Sequence, residues 1–478
     1  MQLYRSFVDN NWIESADGSV IDVADPATNE IWAQVPACTS EDAVRALDAA
    51  DAAQKEWRRL SAIQRAAHLL KLNELLLEER EHFAKLLVRE QGKTLTEARG
   101  EVDDTIGYMR YAADSARWLR GDILQADAPG EHLMTFKVPY GVVVAICAYN
   151  YPLALVGRKL GPALVTGNTV VIKPHEATPV TASEFCRLVE KASIPKGVIN
   201  VVTGDGASTG SALVSHPLCR MITLTGSIPA GQRVAQLASK NLANLSLELG
   251  GKAPFIVMDD ADIDAAAEAA SVARFANCGQ VCICNETIFV HEAVADEFIA
   301  KLMDHVGKVA AGNPMEDGGM GPLSTPQSLE RIEKLVDGAK AAGAQVLAGG
   351  NRTTVEGCEG GNWYEPTVLL ANDASLDVIR DEIFGPVLPI MRVASLDEAI
   401  ALSNTREDGL SAYLWSKSNA NIMRAIAELE TGTVFVNKGI SGSFHGYHNG
   451  HKLSGLGGED GPYGLENYLQ KRSVYIAY

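Results

Sequence analysis

The sequence describes an α/β protein with two parallel sheets in two domains. Short apolar runs recur between amphipathic stretches, as expected for strands covered on both faces by crossover helices. The runs fall into two blocks, one from about 140 to 225 and one beginning near 250, with the Gly250-Gly251 pair between them. At 478 residues the chain also exceeds one core, since domains usually hold roughly 100–200 residues.

Residues 41–119 precede the first block and are helical in pattern. Ser40 stands before Glu41 as an N-cap would. Leu69, Leu70, Leu72, Leu75, Leu76, Leu86 and Leu87 recur near helical spacing among charges. Near 140 the rhythm changes. Gly141 to Cys147 is an apolar strand candidate, followed by a helix over 153–164, a strand over 169–173 and a helix over 179–192. Strands over 198–202 and 221–225 complete this block. The second block places strands at 254–258, 287–291, 367–370, 387–391 and 433–436, with a helix over 262–276. Residues 437–464 are rich in Gly, His and Ser and should form loops. The end, Lys471 to Tyr478, alternates like a strand but has no partner in either block, so pairing with a neighbouring subunit is expected.

Composition narrows the function. The net charge is -18, so the surface repels phosphate backbones and nucleic acid is excluded as an expected partner. The longest apolar run, Val142 to Ala148, is far too short to cross a bilayer, and the N-terminus lacks the apolar core of a signal peptide. Eight scattered cysteines in a large chain point to reduced thiols. A cytoplasmic protein without membrane association is the expectation.

Five segments carry residue types suited to chemistry. Cys278, Cys282 and Cys284 cluster after a helix, around the flexible Gly279. A thiol at such a turn is a soft nucleophile able to form a thioester, and composition alone does not choose among the three. Their spacing matches no usual zinc pattern, and no metal is expected. Glu248, between Leu247 and Leu249 at a strand end, should be poorly solvated, which raises its pKa toward a general base. Gly226, Ser227 and Gly231 join an apolar strand to a helix, where backbone N–H groups attract phosphate. Lys173 and Glu176 end another strand, where ligands of open α/β sheets bind. Asn150, just past the strand ending at Ala148, has an amide able to donate to an oxyanion. Each of these, taken singly, is equally an ordinary buried thiol, turn or solvated loop.

Together the segments resemble the aldehyde dehydrogenase family over essentially the whole chain. Leu247 to Lys252 looks like its glutamate motif, Phe275 to Cys282 its cysteine motif, and Glu382-Ile383-Phe384-Gly385-Pro386 its third signature. The resemblance implies a Rossmann-type cofactor domain, an α/β catalytic domain and a small β oligomerisation arm. On that pattern the NAD-binding domain takes residues 1–118 and 140–249 and the catalytic domain 250–445. Residues 119–139 and 446–478 form the arm and the C-terminal tail, in a homodimer or homotetramer. It implies Cys282 as nucleophile, Glu248 as base for deacylation, and Asn150 with the Cys282 N–H as oxyanion hole. Lys173 and Glu176 would hold the adenosine ribose of NAD, with NADP less favoured. Gly226, Ser227 and Gly231 would face the pyrophosphate. Glu382 would hold the nicotinamide ribose with Phe384 beside the ring, and Arg331 would contact the cofactor.

Within the family, Leu247 to Asp262, Gly279 to Cys282 with Cys284, and the ending from Phe444 to Tyr475 resemble bacterial lactaldehyde/glycolaldehyde dehydrogenases, which implies Arg158 and His448 at the substrate pocket. Three positions depart from that branch: Ile283 and Gly442 replace polar residues facing substrate, and Tyr149 replaces a tryptophan. The expected substrate is a short hydroxyaldehyde. Succinate semialdehyde, release of the acyl group to coenzyme A, and a binding protein that kept only the fold are the alternatives.

Overall fold

The structure, a computed structural model, describes residues 1–478. Helices Ser40–Trp57, Ala62–Glu78, Arg80–Gln91 and Leu95–Asp114 form the predicted helical region. Three of them start on capping boxes, in which a Ser or Thr hydroxyl accepts from the third helical N–H and that residue's side chain bonds back. For the first helix the cap is Thr39 with Asp42, not Ser40. Ser40 has no acidic or amide side chain three residues on, because Ala43 stands there, so the box forms one residue earlier. Gly92 ends the third helix with φ 93°, a left-handed turn that suits glycine.

The first block folds into an eight-stranded sheet. Its parallel centre runs, in space, Asn244–Glu248, Cys219–Thr225, Val142–Ile146, Thr169–Lys173, Ile199–Val201. Numbered along the chain this is the order 5-4-1-2-3, so the winding reverses between Val142–Ile146 and Cys219–Thr225. Such a reversal opens a crevice beyond the carboxyl ends of those two strands. Short antiparallel strands complete the sheet: Ser6–Val8 and Asn11–Ile13 on one edge, Gly455–Leu456 on the other. The segment 446–478 therefore supplies more than an arm and a tail.

The second block forms a seven-stranded sheet, parallel except for its first strand, in the order Gln345–Ala348, Thr367–Leu370, Val387–Val393, Asn285–His291, Ala253–Val257, Ser411–Trp415, Thr433–Val436. The first and second sheets are joined at Glu248 to Ala253, where one strand ends and the next begins. The carboxyl ends of the first sheet thus meet loops at the amino ends of the second: 249–252, 276–284 and 381–386.

Leu469–Ala477 pairs with Glu131–Pro139 of its own chain, residue for residue from Leu469↔Pro139 to Ala477↔Glu131, with Asp122–Leu124 beyond. The expected absence of an internal partner is thereby corrected. The strand looked unpartnered because its mate lies over 330 residues away in neither apolar block. The arm exposes Ile123, Phe136 and Tyr475, and Trp118, just before it, is exposed as well. A further sheet, Gln2–Leu3 with Ile31–Pro36 and Val20–Ala24, was not foreseen. No helix is long and apolar enough to cross a membrane.

Candidate active site

A cavity of about 1280 Å³ opens between the two sheets at the reversal point. Two loops shape its floor. Helix Ile263–Phe275 ends in a tight turn in which Asn277 (φ 47°) and Cys278 (φ 56°) are both left-handed, followed by Gly279 (φ 71°). Two consecutive non-glycine residues in that region cost about 1–2 kcal/mol each, so the surroundings must impose the shape. The Asn277 N–H donates to Glu97 Oε1 at 2.6 Å, and its side-chain amide donates to Asn150 O at 3.0 Å. Arg274 donates to Gly279 O at 2.7 Å and to Glu286 at 2.8 Å. A Cβ on Gly279 would sit 2.2 Å from Gly385 O, so glycine is required for the turn to pack on the 381–386 loop.

This turn sorts the three clustered thiols. Cys278 and Cys284 are buried, and burial pushes both up, Cys284 to about 12. Cys282 is partly exposed and lines the cavity. Its backbone N–H donates to no protein group. Asn150, 5% exposed, presents its amide to the same turn and donates to Gln280 O at 3.0 Å. Lys93 Nζ fixes Asn150 from behind through its carbonyl at 3.0 Å. Lys93 is itself paired with buried Glu101, whose other oxygen caps helix Pro152–Thr166 through the Leu153 and Ala154 N–H groups. The chain of contacts Glu101–Lys93–Asn150–Gln280 couples a helix start to the nucleophile turn.

Glu248 ends strand Asn244–Glu248 and is 3% exposed. Neither carboxylate oxygen accepts a hydrogen bond, although His448 Nε2 lies 3.1 Å from Oε2, out of line for one. Burial raises the Glu248 pKa, against the opposing charge of His448, as expected for a base beside apolar neighbours.

The far end of the cavity is polar. Lys173 is 3% exposed, and its ammonium finds only Pro174 O at 3.1 Å and Glu176 Oε2 at 3.5 Å. Ser227 caps helix Ile228–Ala238 at the cavity edge, and a Cβ on Gly226 would stand in ordinary van der Waals contact with Leu224 (3.6 Å) and Ala230 (3.8 Å). Glu382 accepts from the Gly251 N–H at 3.1 Å, and burial pushes its carboxyl up to about 7. An under-partnered buried cation, a helix N-terminus and a desolvated carboxylate fit the phosphates and ribose hydroxyls of a dinucleotide.

Residues 12–474 match the aldehyde dehydrogenase family. The chain belongs to that family. It is 46% identical over 477 residues to the 3,6-anhydro-alpha-L-galactose dehydrogenase of Vibrio sp. (strain EJY3), covering 100% of this chain and 99% of that protein. It is 40% identical over 472 residues to the lactaldehyde dehydrogenase of Escherichia coli (strain K12), covering 98% of each. A solved 3,6-anhydro-L-galactose dehydrogenase in complex with NAP superposes with TM-score 0.97 at 45% identity, covering 99% of this chain and 100% of that one. The protein is therefore an aldehyde dehydrogenase, an oxidoreductase that takes small aldehydes and a pyridine nucleotide.

All but one of the site residues expected of this aldehyde dehydrogenase border the one cavity: Cys282, Glu248 and Asn150 at its centre, Lys173, Glu176, Gly226, Ser227, Arg331, Glu382 and Phe384 toward one end, Arg158 and His448 toward the other. The exception is Gly231. It lies inside helix Ile228–Ala238, and a Cβ there would meet Leu249 at 2.5 Å, so it serves close packing and not phosphate contact. Arg331 borders the cavity but spends its guanidinium on the carbonyls of Glu382 (2.9 Å) and Ile383, bracing the loop that carries Phe384 (φ 49°). Arg158 is also engaged. Its Nε donates to Asp460 at 2.8 Å, a second nitrogen contacts the same carboxylate, and Glu459 lies 3.2 Å away.

Glu459, Asp460, Lys159 and Tyr108 are the residues that sequence reasoning missed. Glu459 and Asp460 lie between glycines in a stretch with no periodicity. Tyr108 sits on a helix as an ordinary amphipathic residue, with Phe444 edge-on to it at 4.9 Å. The phenyl ring fits only because Gly107 has no Cβ, which would stand 2.2 Å from it.

Proposed function

We propose that this aldehyde dehydrogenase prefers NAD and oxidises a small neutral hydroxyaldehyde to its carboxylic acid through a thioester on Cys282. The observation that carries the proposal is the sorting of thiols. Of three clustered cysteines, only Cys282 opens onto the cavity, beside a buried carboxylate, its own unpartnered N–H and the Asn150 amide. The Cys282 sulfur adds to the aldehyde carbon. The Cys282 N–H and the Asn150 amide stabilise the oxygen as it gains charge. The nucleotide, held by Lys173, Glu176, Ser227 and Glu382, supplies the hydride acceptor when bound. Glu248 then removes a proton from the water that attacks the thioester, releasing acid and thiol. Hydrolysis through Glu248 favours the free acid over transfer to coenzyme A.

Substrate class follows from Arg158. Asp460 and Glu459 already balance its charge, so this wall holds no free cation for a substrate carboxylate. That supports glycolaldehyde or lactaldehyde over succinate semialdehyde. A second reading, a cyclic hydroxyaldehyde such as 3,6-anhydro-L-galactose, is favoured by open space at Gly442, where a Cβ meets nothing within 4 Å, and by the 46% identical relative. The test is kcat/KM for these aldehydes, succinate semialdehyde, hexanal and benzaldehyde. A tenfold lead for an acidic or apolar aldehyde, about 1.4 kcal/mol of transition-state binding, would overturn the proposal. The preference for NAD rests on Glu176, whose carboxylate would repel a 2′-phosphate. The apolar side chains exposed on the arm support a homodimer or homotetramer in which a second copy covers them.

A further inference from the structure

The wall behind Glu248 is a charged turn with no part in the reaction described above. Asp460 is a non-glycine residue at φ 63°, held by paired hydrogen bonds from Arg158. The Glu459 carboxylate contacts Lys159 and Thr223 Oγ1 (3.0 Å). The Glu459 backbone pairs with His448 in both directions, its N–H donating to His448 O at 2.7 Å and its carbonyl accepting from the His448 N–H at 2.9 Å. Arg158 and Lys159, neighbours on helix Pro152–Thr166, therefore anchor the segment carrying His448. Its imidazole stands 3.1 Å from Glu248 and also faces Cys282.

We propose that His448 is the positioning residue for Glu248, and that Arg158, acting through Asp460 and Glu459, holds the imidazole in place and does not serve chiefly as a substrate ligand. The inference rests on Glu248 being the base for deacylation. The groups facing the pair are Arg158, Glu459, Cys282 and Tyr447, with Asp460 behind Arg158. Burial lowers the His448 pKa and Arg158 opposes its charging, but the adjacent Glu248 outweighs both and raises it to about 10. Burial and Glu459 push Glu248 up, while His448 and Arg158 pull it down. Without the imidazole, Glu248 keeps its proton to higher pH, and the ionised base is lost at a higher pH on acidification.

The test is the pH profile of steady-state kcat, with the NADH burst, for wild type, His448→Gln, Arg158→Met, Asp460→Asn and Glu248→Gln. His448→Gln should keep the burst, lose about tenfold in kcat at pH 7, and move its acid limb up by about one pH unit. Arg158→Met and Asp460→Asn should move the limb the same way by less. If both His448→Gln and Arg158→Met raise KM while the limb stays fixed, the two are substrate ligands and the proposal is wrong. A His448→Gln protein that does not fold leaves the decision to Asp460→Asn, which keeps the imidazole, the guanidinium and Glu248. An unmoved limb there overturns the proposal. Full turnover in Glu248→Gln would instead remove the base reading beneath it.

Discussion

Gly279→Ala tests whether the strained turn sets the chemistry. Two costs follow from the structure. At φ 71° an alanine is left-handed, which costs about 1–2 kcal/mol relative to the allowed regions. Its Cβ would also sit 2.2 Å from Gly385 O, a backbone atom that moves only with its loop, and such overpacking costs about 1–3 kcal/mol. The sum is about 2–5 kcal/mol. Relief requires the nucleophile turn and the loop of Glu382 and Phe384 to move apart. A misplacement of about 1 Å costs catalysis roughly 10²-fold. Urea unfolding followed by fluorescence measures the first effect, and kcat with the nucleotide KM the second. Gly442→Ala is the stability control, having no positive φ and an empty Cβ position. A Gly279→Ala protein within 1 kcal/mol of wild type in stability, and within twofold in kcat, would refute the claim that contact with Gly385 enforces the turn.

Cys282→Ala should abolish NADH formation, while Cys278→Ala and Cys284→Ala each keep substantial activity. Peptide mass spectrometry of the trapped acyl-enzyme, finding the adduct on either buried thiol, would contradict this. Glu248→Gln should lose steady-state turnover by roughly 10²–10⁴, with a single-turnover burst surviving if acylation does not need the base; stopped-flow absorbance separates the phases. Glu176→Ser should narrow the gap in kcat/KM between NAD and NADP, and a wild-type enzyme faster with NADP would reverse the cofactor assignment.

The parallel strands were legible because burial on both faces removes polar alternation and leaves continuous apolar runs, as in Val142–Ile146 and Thr169–Lys173. The nucleophile was legible only as one of three thiols, and burial decided among them. Thr39 and Ser40 are both capping residues, and Asp42 settles the choice through a bond that depends on spacing. Gly231 was read as a phosphate glycine from its spacing, but the contact that explains it is with Leu249, just past the end of strand Asn244–Glu248. The positive charge of Arg158 was visible, whereas the two carboxylates that balance it lie 300 residues downstream in a glycine-rich loop. Short antiparallel strands such as Gln2–Leu3 carry too few residues to show a period.

The nine-residue ladder between Leu469–Ala477 and Glu131–Pro139 anchors the C-terminal strand. Upstream of it, Asn467 and Tyr468 are tied down by Asn244 and Asn168 through their carbonyls, and Asn467 in turn binds Gly458 O at 2.6 Å. Next to Gly458 come Glu459 and Asp460, and with them His448. Shortening the C-terminus by ten residues would thus not merely trim an assembly arm. It would free one end of the segment that backs the base, so activity should fall even in subunits that still bind nucleotide, and changes tolerated in the arm are restricted by catalysis as well as by association.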